Sequence, residues 1–113
     1  MILRQKILLH TLREKKRYVA YEVMSDKDIN QQDIKEAILS TYEKFFGRIA
    51  LLQSNMKFLY PKEKKGIIKV NHKFVDYLKG VFILINQISN QQVIVRSLGV
   101  SGILNKAKER YSI

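Results

Sequence analysis

The segment MKFLYPKEKKGIIKV, residues 56–70, decides how the rest of the chain is arranged. Met56, Phe58 and Tyr60 alternate with polar or opposite-facing neighbours, the period of a half-buried strand. Pro61 opens a loop whose cationic tip, Lys62-Glu63-Lys64-Lys65, suits water, and Gly66 leads into a returning run, Ile67-Ile68-Lys69-Val70. A hairpin of this kind is flanked here by two helical patterns, and that placement is informative. Upstream, Asn30 or a neighbour caps a helix to about Phe46 that stops at Gly47, with a core stripe of Ile34, Ala37, Ile38, Thr41 and Phe45. The strand after it is read from Ile49 to Tyr60. Downstream, Asn71 is placed to cap a helix from Lys73 to about Ile88, with Phe74, Val75, Leu78, Val81, Phe82 and Ile85 on its apolar face.

A further strand lies outside each helix. Tyr18 to Val23 puts Val19, Tyr21 and Val23 on one face and Tyr18, Ala20 and Glu22 on the other. Ser89-Asn90-Gln91 turns into a strand beginning Val93-Ile94-Val95. This bends at Gly99-Val100-Ser101-Gly102, and Ser101 is placed to cap a last helix with Ile103, Leu104, Ala107 and Tyr111 on one stripe. The order βαββαβ plus a C-terminal helix is that of an α+β, ferredoxin-like or RRM-like α-β sandwich. Two helices cover one face of a four-stranded antiparallel sheet, and the first and third strands lie at its centre. Length fits a single domain over residues 1–113, with 1–12 as an N-terminal arm and 13–113 as the folded body.

Charge narrows the function. Twenty-one Lys and Arg against 10 Asp and Glu give a formal charge of +11, a field that attracts polyanions, nucleic acid foremost. With no cysteine, disulfides, thiolate metal sites and cysteine nucleophiles are excluded, and a reducing, cytoplasmic setting is expected. No apolar run approaches the ~20 residues of a membrane span. The basic N-terminus has no serine and runs into the first strand without a break, unlike a transit peptide. His10 and His72 lack second ligands at metal spacing, and Asp26 and Asp28 read as turn and cap residues. Gly99 and Gly102 make no phosphate-cradling loop, so catalysis has little to work with.

RNA binding is better supported. Lys65-Gly66 opens as an RNA-recognition strand does, but no aromatic follows, so backbone phosphates are the expected target in place of stacked bases. The candidate RNA-binding residues are Arg13, Lys15, Lys16 and Arg17 before the first strand, Lys69 and Arg96 on the sheet's open face, and Lys106, Lys108 and Arg110 on the last helix. Leu39, Phe46 and Ile83 fall off their helices' stripes and are candidate protein contacts. No catalytic and no metal-ligating residue is assigned.

Leu12-Arg13-Glu14-Lys15-Lys16-Arg17-Tyr18, Gly66-Ile67-Ile68-Lys69-Val70 and Val93-Ile94-Val95-Arg96-Ser97-Leu98-Gly99-Val100-Ser101-Gly102 together resemble the archaeal ribonuclease P protein component 2 family. That family has relatives in the eukaryotic nuclear ribonuclease P and MRP particles. The resemblance spans about residues 11–112, in matching order. It implies a non-catalytic subunit of the particle that removes the 5′ leader from precursor tRNA. The catalyst would be the particle's RNA with its own Mg²⁺, and no cofactor would be held by the protein. It also implies pairing with the barrel-shaped protein component 3 and a homodimer within a heterotetramer of such pairs. Two other classes compete: a generic basic ribonucleoprotein or ribosomal RNA-binding protein, and a small phosphate-handling enzyme that would use Arg96 and Asn71.

Overall fold

The structure is a computed structural model that describes residues 15–111 and 113. The arm at 1–12 and Arg13 lie outside the described residues. The elements are β1 (Lys16–Met24), α1 (Gln31–Ser54), β2 (Lys57–Lys62) and β3 (Lys65–Asn71). A 3₁₀ turn (His72–Phe74) then leads into α2 (Val75–Leu84), a small hairpin β4 (Gln87–Ile88) and β5 (Gln91–Gln92), β6 (Ile94–Ser101) and α3 (Leu104–Arg110). The main sheet has the order β2-β3-β1-β6, and every pairing in it is antiparallel. The expected βαββαβ sandwich with β1 and β3 at the centre is therefore the fold observed.

Local chemistry accounts for the helix starts. The Asn30 side chain accepts from the Gln32 amide at 2.8 Å, and that of Asn71 accepts from the Lys73 amide at 3.0 Å. Gly47, at φ 89° and ψ 164°, breaks the first helix where expected, because glycine alone tolerates that backbone. The chain does not become a strand there. It re-enters the helix through Ser54 and ends at Asn55 in the left-handed region, so β2 begins only at Lys57. The apolar run Ile49-Ala50-Leu51-Leu52 is too short for its period to separate strand from helix.

The core stripe of α1 also differs from the sequence reading. Ile34, Ile38 and Tyr42 are fully buried while Phe45 is exposed. Residues four apart advance by about 40° around a helix, so the buried face drifts from Phe45 toward Phe46. Phe46 meets Tyr42 edge-on at 5.4 Å and stacks on Tyr77 of α2 at 4.6 Å, which joins the two helices. α2 ends earlier than expected, at Leu84, and Ser89 and Asn90 then take positive φ in the tight turn between β4 and β5.

Two apolar clusters sandwich the sheet. On one face Val19, Tyr21, Val23, Ile68 and Val70 pack under α1 and α2. On the other, Ala20 and Ile67 pack under Ala107 of α3, with Tyr18, Leu59, Leu98, Leu104, Tyr111 and Ile113 around them. The second face, expected to be open, is thus covered along its middle by the C-terminal helix. Gly99 is what lets α3 sit so close: a Cβ there would overlap the Tyr111 hydroxyl. Gly99 lies inside β6, beside a bulge that leaves Leu98 without a partner on β1, so the bend comes after Ser101, at Gly102 and Ile103. Ser101 does not cap α3: the N-cap is Ile103, which makes no side-chain cap bond, and the Ser101 hydroxyl accepts from the Ile103 amide at 3.1 Å in the turn before the helix.

Candidate nucleic-acid interface

Register places the second face in rows. Lys57, Lys69, Tyr18 and Ser101 lie abreast across the four strands. Two residues along come Leu59, Ile67, Ala20 and Gly99, the row under α3. Next are Lys62, Lys65, Glu22 and Arg96. Each step of two residues is roughly 6.7 Å, so the two polar rows stand about 13 Å apart on opposite sides of α3.

These rows differ in charge state. In the Glu22 row, Arg96 donates through Nε and Nη2 to Oε1 of Glu22 at 3.0 and 2.7 Å, and Lys65 reaches Oε2 at 3.5 Å. The bond from Arg96 holds the Glu22 carboxyl below the usual carboxylate range; partial burial opposes it, and the charges of Arg96 and Lys65 add to it. In the Lys69 row, neither Lys57 nor Lys69 forms an ion pair among the described residues, and the same holds for the neighbouring exposed Lys16. Glu22 thus offsets one of the three cations of its row, whereas Lys57 and Lys69 have no carboxylate partner among the described residues.

α3 adds cations on two sides. Lys106 and Arg110 border a groove with Val100, Ser101 and Glu109, which joins the helix flank to the Ser101 end of the Lys69 row. Lys108 points the other way, its ammonium 3.9 Å from the ring centre of Tyr60 on β2.

The sequence candidates separate accordingly. Lys69, Arg96, Lys106, Lys108 and Arg110 are all on or around the second face, but Arg96 is held by Glu22. Lys15 and Lys16 are exposed at the start of β1. Arg17 is not beside Lys69. It lies within β1 and alternates with Tyr18, so it shares the parity of Val19, pairs with Val70 and approaches Gly102. Among the candidate protein contacts, Ile83 is 83% exposed, Leu39 is half-buried and Phe46 is engaged in the helix–helix packing. Exposed Ile49 and Leu52, past Gly47 on α1, are not anticipated because that stretch reads as a strand, and Phe45, expected in the core stripe, is exposed as well. Glu22, Lys57 and Tyr18 also stand in the rows of this face without having been candidates; for Tyr18 and Glu22 the signal was the two-residue period of β1, in which they share a face with Ala20.

Among the described residues no group of three or more His, Cys, Asp or Glu is placed to hold a metal ion, and no helix is long and apolar enough to cross a membrane.

Known proteins resemble this chain over most of its length. It is 31% identical over 113 residues to the "Ribonuclease P protein component 2" of Pyrococcus horikoshii, covering 98% of this chain and 94% of that one. It is 32% identical over 111 residues to the protein of the same name from Methanocaldococcus jannaschii, covering 98% and 83%. A chain in the cryo-EM structure of yeast ribonuclease MRP superposes with a TM-score of 0.67 at 16% identity, covering 88% of this chain and 92% of that one, which is a likeness of fold. The family model for Rpp14/Pop5 matches residues 17–112, from the first strand to the end of the last helix. The chain belongs to the Rpp14/Pop5 family.

Proposed function

We propose that this chain is a protein subunit of ribonuclease P that binds and stabilises the catalytic RNA, which removes the 5′ leader from precursor tRNA. The observation that carries the RNA-binding part is the unneutralised Lys57–Lys69 end of the second face, continued by Lys16 and by Lys106 and Arg110 of α3. Lysines fixed on strands and a short helix suit phosphate oxygens, whose neutralisation releases counterions and stabilises a folded polyanion. On this reading the protein breaks no bond, and the Mg²⁺ that the reaction requires is held by RNA. The shared name of the archaeal relatives supports the assignment over a generic ribosomal protein. The helical layer, where Ile83, Ile49 and Leu52 stand exposed, is the surface offered to protein component 3, with a dimer of such pairs as the larger assembly and the cytoplasm as its place.

The test is reconstitution of precursor-tRNA cleavage from the RNA and its protein subunits at limiting Mg²⁺, with and without this chain. Adding it should raise the cleavage rate and lower the Mg²⁺ needed. An unchanged rate and Mg²⁺ requirement would sink the assignment.

A further inference from the structure

We infer that Tyr18 is a stacking platform for one unpaired base of the bound RNA, with Lys69, Lys57 and Lys16 on the flanking phosphates. This rests on the RNA-binding reading and goes beyond it, because it assigns single-stranded RNA to one stated place on the sheet.

Three tyrosines lie on the second face, and two have their rings engaged within the protein. Tyr60 carries the Lys108 ammonium over its ring, and Tyr111 is pressed onto Gly99. Tyr18 makes no ring–ring or cation–ring contact among the described residues. It is half-buried against the Ala20–Ile67–Ala107 cluster, so the ring is held in place before any base arrives. Its strand partners are Lys69 and Ser101, and Lys57 stands beyond Lys69. Lys16 precedes it by two residues on the same face. The acid closest along β1 on that face, Glu22, is bonded to Arg96 and Lys65. An aromatic ring interleaved with lysines is the pattern by which sheets hold single strands.

Shape argues for a single strand over a duplex. An α-helix with its side chains is about 10–12 Å across, so α3 rises as a wall beside the row that contains Tyr18. A duplex would ride on that wall and on Lys106 and Arg110. A splayed nucleotide can reach the floor beside it.

The chain has no tryptophan, so Tyr18→Trp supplies a single reporter. The probes are an eight-nucleotide oligouridylate and a blunt-ended RNA duplex of equal phosphate count. Saturating oligouridylate should quench the indole emission by half or more, and the duplex should not. Tyr18→Phe should bind the oligouridylate as the parent does. Tyr18→Leu should lose about tenfold in affinity with the salt slope unchanged, whereas Lys69→Gln should lower that slope by roughly 0.7. Unquenched emission at saturation, with binding verified by filter retention, overturns the inference even if the leucine variant does not fold. Active reconstituted particles with a silent Tyr18→Trp would refute this inference alone. Quenching without any effect on precursor-tRNA cleavage would refute the ribonuclease P assignment instead.

Discussion

Lys69 and Arg96 occupy the same face of one sheet, yet neutralising them should have different consequences. Each phosphate contact contributes roughly 0.7–0.9 to the slope of log affinity against log salt. Between 50 and 200 mM salt, a fourfold range, one contact accounts for about a threefold loss of affinity. Lys69 has no ion pair among the described residues, so Lys69→Gln should remove that threefold and flatten the slope by one contact. Arg96 already faces Glu22 at 2.7 Å, so Arg96→Gln should leave the slope nearly unchanged. The pair is only partly shielded, with side chains 54% and 20% exposed, so its loss should cost about 0.2–1 kcal/mol of stability. The converse variant, Glu22→Gln, releases Arg96 and Lys65 together. It should lose a similar amount of stability while steepening the slope by one to two contacts. Filter binding of the ribonuclease P RNA across a salt series, with urea melts of each variant, measures both quantities. A slope for Arg96→Gln as flat as that for Lys69→Gln would show that Glu22 does not keep Arg96 from the RNA.

Gly99→Ala should displace Tyr111, the flexible side chain that its new methyl group would overlap, at a cost of roughly 1–3 kcal/mol. Amide hydrogen exchange in α3 should accelerate while β1 and β3 stay protected; equal acceleration throughout would mean that α3 is not a separately docked element. Tyr21 is buried over Gly66, and burial pushes its pKa up to about 12. Its folded pKa is above the unfolded value, so the stability it contributes is intact below pH ~10 and is lost as pH rises from about 10 to 12, by about 2–3 kcal/mol. Alkaline melts of Tyr21→Phe should lack that component, and an identical decline in both proteins would refute it.

Much of the fold was legible because local chemistry determines it. Asn30, Gly47 and Asn71 act where their residue types suggest, and the two-residue period of β1 separates Val19, Tyr21 and Val23 from Tyr18, Ala20 and Glu22. What escaped depends on partners distant in sequence. The bond between Arg96 and Glu22 joins residues 74 apart, and only the register of β1 against β6 makes it visible. Arg17 looked like part of an entry segment. Once β1 starts at Lys16, strand alternation turns it away from Lys69. Residues 49–52 failed differently: Ala50 and Leu51 pack on the core as helical residues, an outcome set by the space beneath α1 and not by their own period.

The covered face also explains a feature that pointed away from stacking. β3 presents Ile67 on that face where an RNA-recognition strand would carry an aromatic, and Ile67 is fully buried beneath α3. The row that contains it is Leu59, Ile67, Ala20 and Gly99, apolar throughout, with the two smallest residues where the helix comes closest. An aromatic in place of Ile67 would lift the helix and forfeit the burial of Ala107 and Tyr111. The cations of this face are thereby left on its two flanks, on either side of α3. A single acid then breaks the symmetry between them: Glu22 answers Arg96 and Lys65 on one side, and nothing answers Lys57 and Lys69 among the described residues on the other. The place of one carboxylate in the register of β1 thus decides that Arg96 and Lys65 are paired while Lys57 and Lys69 are not.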